Sequence, residues 1–420
     1  MYNDRIVVTG MGTVTPFGVG LSSFWNNIIA GKSAVHQTVD EEFRQWAPVM
    51  ASYEKFDPSA YLSKKQVRAL DAFAQMGLIA TIEALQDADL LDDNEALKQI
   101  YDPNNIGISI GSAYGGVQTL EEGSQRIAKG ISKRVSARLV PKSIPNSCAS
   151  AIAINYAIHG PTMTYSTACA SSSNSIGEAS HWLQLGKVDM VIAGGAERIF
   201  SPAILSGLRA STALANTGPE NLSAWSRPFD RQRSGMVMGE GAAMIVLERL
   251  EKAKERNASI YAELVGYGTS NDAFHETTPQ PEGHSAKLAM NLALKSASLQ
   301  PEDIDYINAH ATATPVGDLA EAIALRSLFG DHLDHIPVSS IKGAVGHMLG
   351  TAGAIESVTC IKAIETSQLP PTINCDDKDD NMPKDIVPNH TRTHPMTYAL
   401  NNSFGFGGQN SVLVWKKYTD

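Results

Sequence analysis

The chain has 420 residues, 43% hydrophobic and 19% charged, with a net charge of −10. That is ample apolar material for a large core and far from a disordered composition, and at ~100–200 residues per domain the length predicts two units or one large duplicated one. The acidic balance argues against nucleic acid as a main partner; four cysteines without a CxxC pair argue against a disulfide scaffold or a zinc site.

In chain order, the N-terminal MYNDRIVVTG enters a strand at once, over residues 5–9, without the layout of a secretion signal. No run approaches the ~18 uninterrupted apolar residues of a membrane span. A reducing, cytoplasmic setting is expected. Further buried strands are predicted at 106–110, 190–193, 244–247, 306–309 and 412–415, and helices at 71–88, 175–185, 319–328 and 352–364. This alternation predicts an α/β fold with covered sheets. Gly186 and Gly330 follow helical runs, as C-terminal stop residues do. The charged segment LERLEKAKERN ends near Asn257 and a new strand pattern begins at Tyr261, so the seam is placed there, giving halves 1–257 and 258–420. The acidic stretch 376–388 reads as an exposed loop.

Candidate chemistry sits where strands turn into helices. In TMTYSTACASSSNSIGEAS, a β-favouring run leads into Cys169 and a helix follows. Free N–H groups and the helix dipole there favour a thiolate. A lone cysteine can equally be a small buried hydrophobe. In DYINAHATATPVGD, His310 ends a strand and the next helix carries a capping-box-like Asp318–Glu321 pair. In VSSIKGAVGHMLGTAGAIE, Lys342 and His347 occupy a Gly-rich turn. Glu356 falls on an apolar helix face and needs a partner, for which Lys342 is the candidate. With 11 histidines, any single one is weak evidence. The loop NNSFGFGGQNS lacks the lysine of a phosphate-binding loop and precedes a strand, so it reads as a tight backbone segment presenting N–H groups.

Together these motifs resemble the β-ketoacyl-acyl carrier protein synthases, most closely synthase II and the polyketide ketosynthases. The likeness runs from VVTGMGTVTPFG through GISIGSAYGG, STACASSS, VDMVIAGGAE, SRPFDRQRSGMVMGEGA, NAHATATPVGD and SSIKGAVGHMLGTAGA to NNSFGFGG. It implies a thiolase-like fold of duplicated halves in a five-layered α-β-α-β-α core. It implies that Cys169 accepts an acyl group and that neutral His310 and His347 act in decarboxylation and condensation. Lys342, with Glu356, would hold the charge geometry. The N–H groups of Cys169 and Phe404 would form the oxyanion hole, with Phe404 as the moving gate. Thr312 and Thr314 would bond the phosphopantetheine arm. Acyl carrier protein is the implied partner, docking on Lys65, Arg68, Lys133, Arg134 and Arg209. The resemblance implies a homodimer or a heterodimer with a related subunit, and no metal or cofactor beyond the carrier's arm.

Three departures stand out. Ala311 replaces the usual Gly after the first histidine, and is tolerable unless φ is positive there. Tyr114 replaces a smaller aliphatic residue that lines the acyl pocket, and Arg138 replaces an aromatic. With the serine-rich flank of Cys169, these suggest an altered acyl tunnel, shorter or suited to a polar, aromatic or polyene chain. The alternative reading is a non-catalytic chain-length-factor subunit, which typically lacks the cysteine.

Overall fold

The computed structural model describes residues 4–131, 133 and 135–419. Its centre is an 11-stranded sheet built from two half-sheets of the same topology. The first contains β1 (Ile6–Thr15), β2 (Ile106–Gly111), β3 (Thr162–Tyr165), β4 (Met190–Glu197) and β5 (Gly241–Arg249). The second contains β6 (Ala262–Asn271), β7 (Tyr306–Asn308), β8 (Val338–Ser339), β9 (Tyr398–Gly405) and β10 (Gln409–Lys417). Their orders are β3-β2-β4-β5-β1 and β8-β7-β9-β10-β6. In each, three strands run parallel and the two nearest the seam are antiparallel. The halves meet through Ile6–Val8 of β1, antiparallel to Ala262–Leu264 of β6.

Six principal helices cover these strands: α1 (Ala72–Asp87), α2 (Ser147–Tyr156), α3 (Ser171–Gln184), α4 (His284–Ala297), α5 (Pro315–Phe329) and α6 (Ala352–Thr366). The parallel strands need crossovers, and helices supply them. Helices α3 and α6 lie between the half-sheets. Every residue of α6 from Ala352 to Ile361 is buried, as expected of a helix with no solvent face. Helix α1 packs on the outer face of the first half and α4 on that of the second, which completes the α-β-α-β-α layering. Three apolar clusters fill the spaces between layers, the central one including Ile176, Leu183, Ile355 and Val358.

The duplication extends to individual residues. Strand β1 carries Gly10 and Gly12 against α1; strand β6 carries Gly266 and Gly268 against α4. A Cβ on Gly12 would stand 2.1 Å from the Ala80 carbonyl oxygen, and one on Gly268 would stand 2.2 Å from that of Ala289. The strand–helix spacing in both halves therefore depends on a missing side chain. Both strands also break register at a bulge just before the first of these glycines or beside it, between Val8 and Gly10 and between Leu264 and Gly266.

The observed elements correct the sequence reading in places. Helix α4 and most of β9 were not predicted. Much of NNSFGFGG belongs to β9, and only Phe406–Gly408 forms a 3₁₀ turn. Helix α5 begins at Pro315, with Thr314 as its N-cap accepting from the Gly317 N–H; Asp318 and Glu321 are not a capping box. Among the described residues, no helix is long and apolar enough to cross a membrane.

Overpacking either glycine contact should cost on the order of 1–3 kcal/mol. Gly12→Ala and Gly268→Ala should each lower the urea midpoint of unfolding. Gly207→Ala, in the helix Pro202–Ala210 where an added Cβ meets nothing within 4 Å, should leave it unchanged or raise it. Equal midpoints for all three would contradict the packing argument.

Candidate active site

The chain leaves β3 and turns sharply before α3. Ala168 takes a left-handed φ of 50°, costly for a residue with a Cβ. A 3₁₀ turn over Ala168–Ala170 then carries Cys169 directly before the first turn of α3. The turn is pinned by Ser171, whose hydroxyl accepts from the Thr167 N–H (2.9 Å) and donates to the Ala168 carbonyl (2.6 Å). Ser166 is exposed, but Ser172, Ser173 and Ser175 are fully buried and bonded to the scaffold. Ser172 accepts from the Ala354 N–H at 2.9 Å, Ser173 pairs with Ser403 at 2.7 Å, and Ser175 donates to the Gly194 carbonyl at 2.7 Å. The serine-rich flank is thus glue for the central layer, which removes it as a sign of an altered tunnel.

The sulfur of Cys169 lies 2.9 Å from Nε2 of His347. The backbone of His347 is fixed between Val237 and Gly239, donating to the former (2.7 Å) and accepting from the latter (2.8 Å). The ring of His310 stands edge-on to that of His347, with centroids 5.3 Å apart. Two carboxylates on α5 hold the His310 loop from beneath. Glu321 accepts from the N–H groups of His310 (2.9 Å) and Ala311 (2.7 Å), and Asp318 from that of Ala313 (3.0 Å). Ala311 has no positive φ, so its methyl is accommodated; the left-handed residue is Ala313, at 65°.

Lys342 is 2% exposed and ion-paired with Glu356, itself 1% exposed. Burial pushes the Glu356 carboxyl up and the Lys342 ammonium pulls it back. The Lys342 ammonium also lies 3.5 Å from Nδ1 of His310. An ammonium only donates, so Nδ1 must accept and the ring proton sits on Nε2. Burial, then Lys342, then His347 hold His310 well below its ordinary pKa, and burial and Lys342 do the same to His347. Both imidazoles are neutral near pH 7. Burial pushes the Cys169 thiol up to about 12, against the pull of Lys342 and of the Phe406 N–H that donates to the sulfur. The expected resting thiolate is therefore replaced by a thiol beside a neutral imidazole, because desolvation outweighs the helix terminus.

The backbone N–H expected of Phe404 is supplied by Phe406. The ring of Phe404 packs edge-on to His310, with centroids 5.9 Å apart, whereas the backbone N–H at the sulfur belongs to Phe406. Gly405 between them allows this approach, since a Cβ there would lie 2.8 Å from the Thr167 oxygen. Phe406 was legible as the second aromatic of the glycine loop, but the register of β9 was not. Glu197, at the end of β4, was missed altogether. Fully buried, it accepts from the N–H groups of Ala113 (2.5 Å), Tyr114 (3.3 Å) and Gly350, tying the Tyr114 loop to the turn after His347.

Cys169, His310 and His347 line one cavity of about 390 Å³, together with Thr312, Thr314 and Phe404. The two threonine hydroxyls are 3.0 Å apart. Tyr114 lies outside that cavity, packed against the apolar cluster that contains Cys169, Met236 and Leu349. Lys65 and Arg68 are exposed on the short helix Lys64–Ala69, and Lys133 and Arg138 are also exposed. Arg209 is half-buried and reaches the Ala215 carbonyl at 3.5 Å. Arg134 lies outside the described residues.

The sequence models of the β-ketoacyl synthase N-terminal and C-terminal domains match residues 3–253 and 261–376. The chain is 40% identical over 418 residues to 3-oxoacyl-[acyl-carrier-protein] synthase 2 of Staphylococcus aureus (strain N315), covering 99% of both. It is 38% identical over 421 residues to the same-named protein of Coxiella burnetii (strain RSA 493 / Nine Mile phase I), covering 100% of both. A β-ketoacyl synthase from Burkholderia phymatum STM815 superposes with a TM-score of 0.91 at 32% identity, over 99% of this chain and 100% of that one. The ketosynthase AntDE, solved with its type II polyketide acyl-carrier protein and bound to a hexaketide, gives 0.90 at 32% identity with the same coverage. The chain belongs to the β-ketoacyl synthase family of thiolase-like condensing enzymes.

Proposed function

We propose that the two halves divide the condensation between them, with Cys169 of residues 1–257 as the acyl acceptor and His310 and His347 of residues 258–420 serving the malonyl step. The observation that carries this reading is the 2.9 Å contact between the Cys169 sulfur and Nε2 of His347, in a cavity shared with His310.

In the first half-reaction Cys169 attacks an acyl thioester borne by acyl carrier protein. Nε2 of His347 takes the S–H proton as the C–S bond forms and returns it to the departing pantetheine thiolate. The N–H groups of Cys169 and Phe406, in place of Phe404, receive the oxyanion; one such donor is typically worth ~2.7–4 kcal/mol. In the second, malonyl-carrier protein loses CO₂ and its electron pair moves to the thioester oxygen as an enolate. Nε2–H of His310 donates to that oxygen, in the tautomer set by Lys342, and His347 joins it once its ring proton lies on Nε2. The enolate carbon then attacks the acyl-Cys169 carbonyl, the C–S bond breaks, and the thiolate takes up one proton from solvent. The sum is redox-neutral, so residues and carrier-borne thioesters suffice. Thr312 and Thr314 are assigned to the pantetheine arm, and Lys65, Arg68, Lys133, Arg134 and Arg209 to carrier docking. The presence of the thiol at its imidazole favours a catalyst over a chain-length factor.

A second subunit of the same or a related kind is the proposed assembly partner. Among the described residues, strand β3 is paired on one edge only, Met163 on it is exposed, and Ile154 on the adjoining α2 is 82% exposed. An open strand edge with apolar neighbours is the kind of surface that another subunit covers. A cytoplasmic setting is part of this proposal, supported by the likeness to fatty-acid synthesis enzymes.

The half-reactions separate the roles. Cys169→Ala should abolish the acyl-enzyme adduct in intact-mass spectra. His310→Ala should still form it while losing CO₂ release from malonyl-carrier protein by ~10²-fold or more. An adduct on Cys169→Ala protein, or full decarboxylation by His310→Ala, would defeat the assignment.

The pH dependence follows from the signs above. The neutral imidazoles are the working forms, and both are held well below 6.5. The acid limb of decarboxylation should therefore lie well below that value, and a midpoint at or above it would count against the reading. Iodoacetamide inactivation at Cys169 should keep rising into alkaline pH instead of levelling off near neutrality.

Tyr114 packs against the apolar cluster around Cys169, where the acyl chain is proposed to run. Tyr114→Ala should shift products toward longer chains when malonyl-carrier protein is offered with a panel of acyl primers. An unchanged product distribution would remove Tyr114 as a determinant.

A further inference from the structure

The reacting atoms form a donor set that metals favour. The Cys169 sulfur and one nitrogen each from His310 and His347 lie within 4.8 Å of one another, and all three residues are buried. A zinc-type dication takes sulfur at ~2.3 Å and imidazole nitrogen at ~2.0–2.1 Å, and three such ligands with one open position suffice to hold it. Only small movements separate this arrangement from a Cys-His₂ metal site that would consume the nucleophile.

One neighbour works against that outcome. A metal binds the lone pair of a ring nitrogen whose opposite nitrogen carries the proton. At His310 the order is reversed, because the Lys342 ammonium faces Nδ1 at 3.5 Å and leaves the hydrogen on Nε2. The lone pair of His310 is then turned to the Lys342 ammonium. Lys342 cannot readily turn away, being 2% exposed and tied to Glu356. Its charge also stands beside the place a dication would occupy and repels it. We propose that Lys342 keeps a latent Cys169–His310–His347 metal site closed, so that the active thiol resists capture by soft divalent cations. This is a role apart from the condensation and does not depend on it.

Cobalt(II) is the probe, because thiolate ligation gives it a near-ultraviolet charge-transfer band. The full chain would be titrated in metal-free buffer as wild type, Lys342→Met, and Lys342→Met with Cys169→Ser. The expected result is a band in Lys342→Met that is lost with Cys169→Ser, and at least tenfold weaker binding to the wild type, about 1.4 kcal/mol. Because Lys342→Met strands the Glu356 carboxyl, the pair Lys342→Met and Glu356→Gln is measured alongside it. The wild type is decisive by itself in one direction. A cobalt band at Cys169 of similar affinity to the variants', or cobalt protection of the wild-type thiol from iodoacetamide at equal concentration, overturns the proposal. So does a folded Lys342 variant without a Cys169-dependent band.

Discussion

Two buried helices that start at the same end of the molecule decide where the chemistry lies. Cys169 precedes α3 and His347 precedes α6, and the helices lie side by side between the half-sheets. Their contact is close because the residues facing each other are small. A Cβ on Gly353 would sit 2.0 Å from the Ser173 hydroxyl oxygen, and Ser172 accepts from the N–H of Ala354 across the junction. With that spacing set, the thiol and the imidazole come within hydrogen-bond reach, although 178 residues separate them in the chain. Larger side chains at the junction would push the two apart.

Around this contact, charge is arranged with little waste. Burial favours the neutral forms of the thiol and both imidazoles. One cation, Lys342, enters the site already paired with Glu356, so its desolvation is offset locally. Its remaining hydrogens orient His310. Three more buried carboxylates beside the site, Glu321, Asp318 and Glu197, accept from backbone N–H groups. They carry rigidity from α5 and β4 into the loops that bear His310 and Tyr114. A site assembled from several loops thereby gains the precision of the elements behind it.

The two halves contribute unequally to this site from equal scaffolds. Both end a strand, turn, and begin a central helix at corresponding places. In the first half that turn presents a nucleophile, and in the second a proton carrier. The paired glycines of β1 and β6 maintain the same strand–helix distance in both halves. Divergence is concentrated in the turns, where substitutions disturb the core least.

Much of this was legible in the residues. The strands around 106, 190, 244 and 306 and the helices that became α1, α3, α5 and α6 follow from apolar period alone. The positions of Cys169, His310, Lys342 and His347 at strand-to-helix turns mark them as chemistry, and Glu356 on an apolar face calls for a cation. Internal duplication is implied by the family resemblance but not by the residues themselves, where it survives as GMG against GYG, two glycines whose meaning appears only when a helix backbone lies over them. The charge state of Cys169 was misjudged, since sequence reveals the helix terminus but not the burial that outweighs it. Phe404 and Phe406 differ by two residues, and only the end of β9 decides which N–H meets the sulfur. Residue type and local pattern thus determined which groups could react. Distance, solvent exclusion and hydrogen-bond direction belong to the packed chain, because they depend on neighbours far away in sequence.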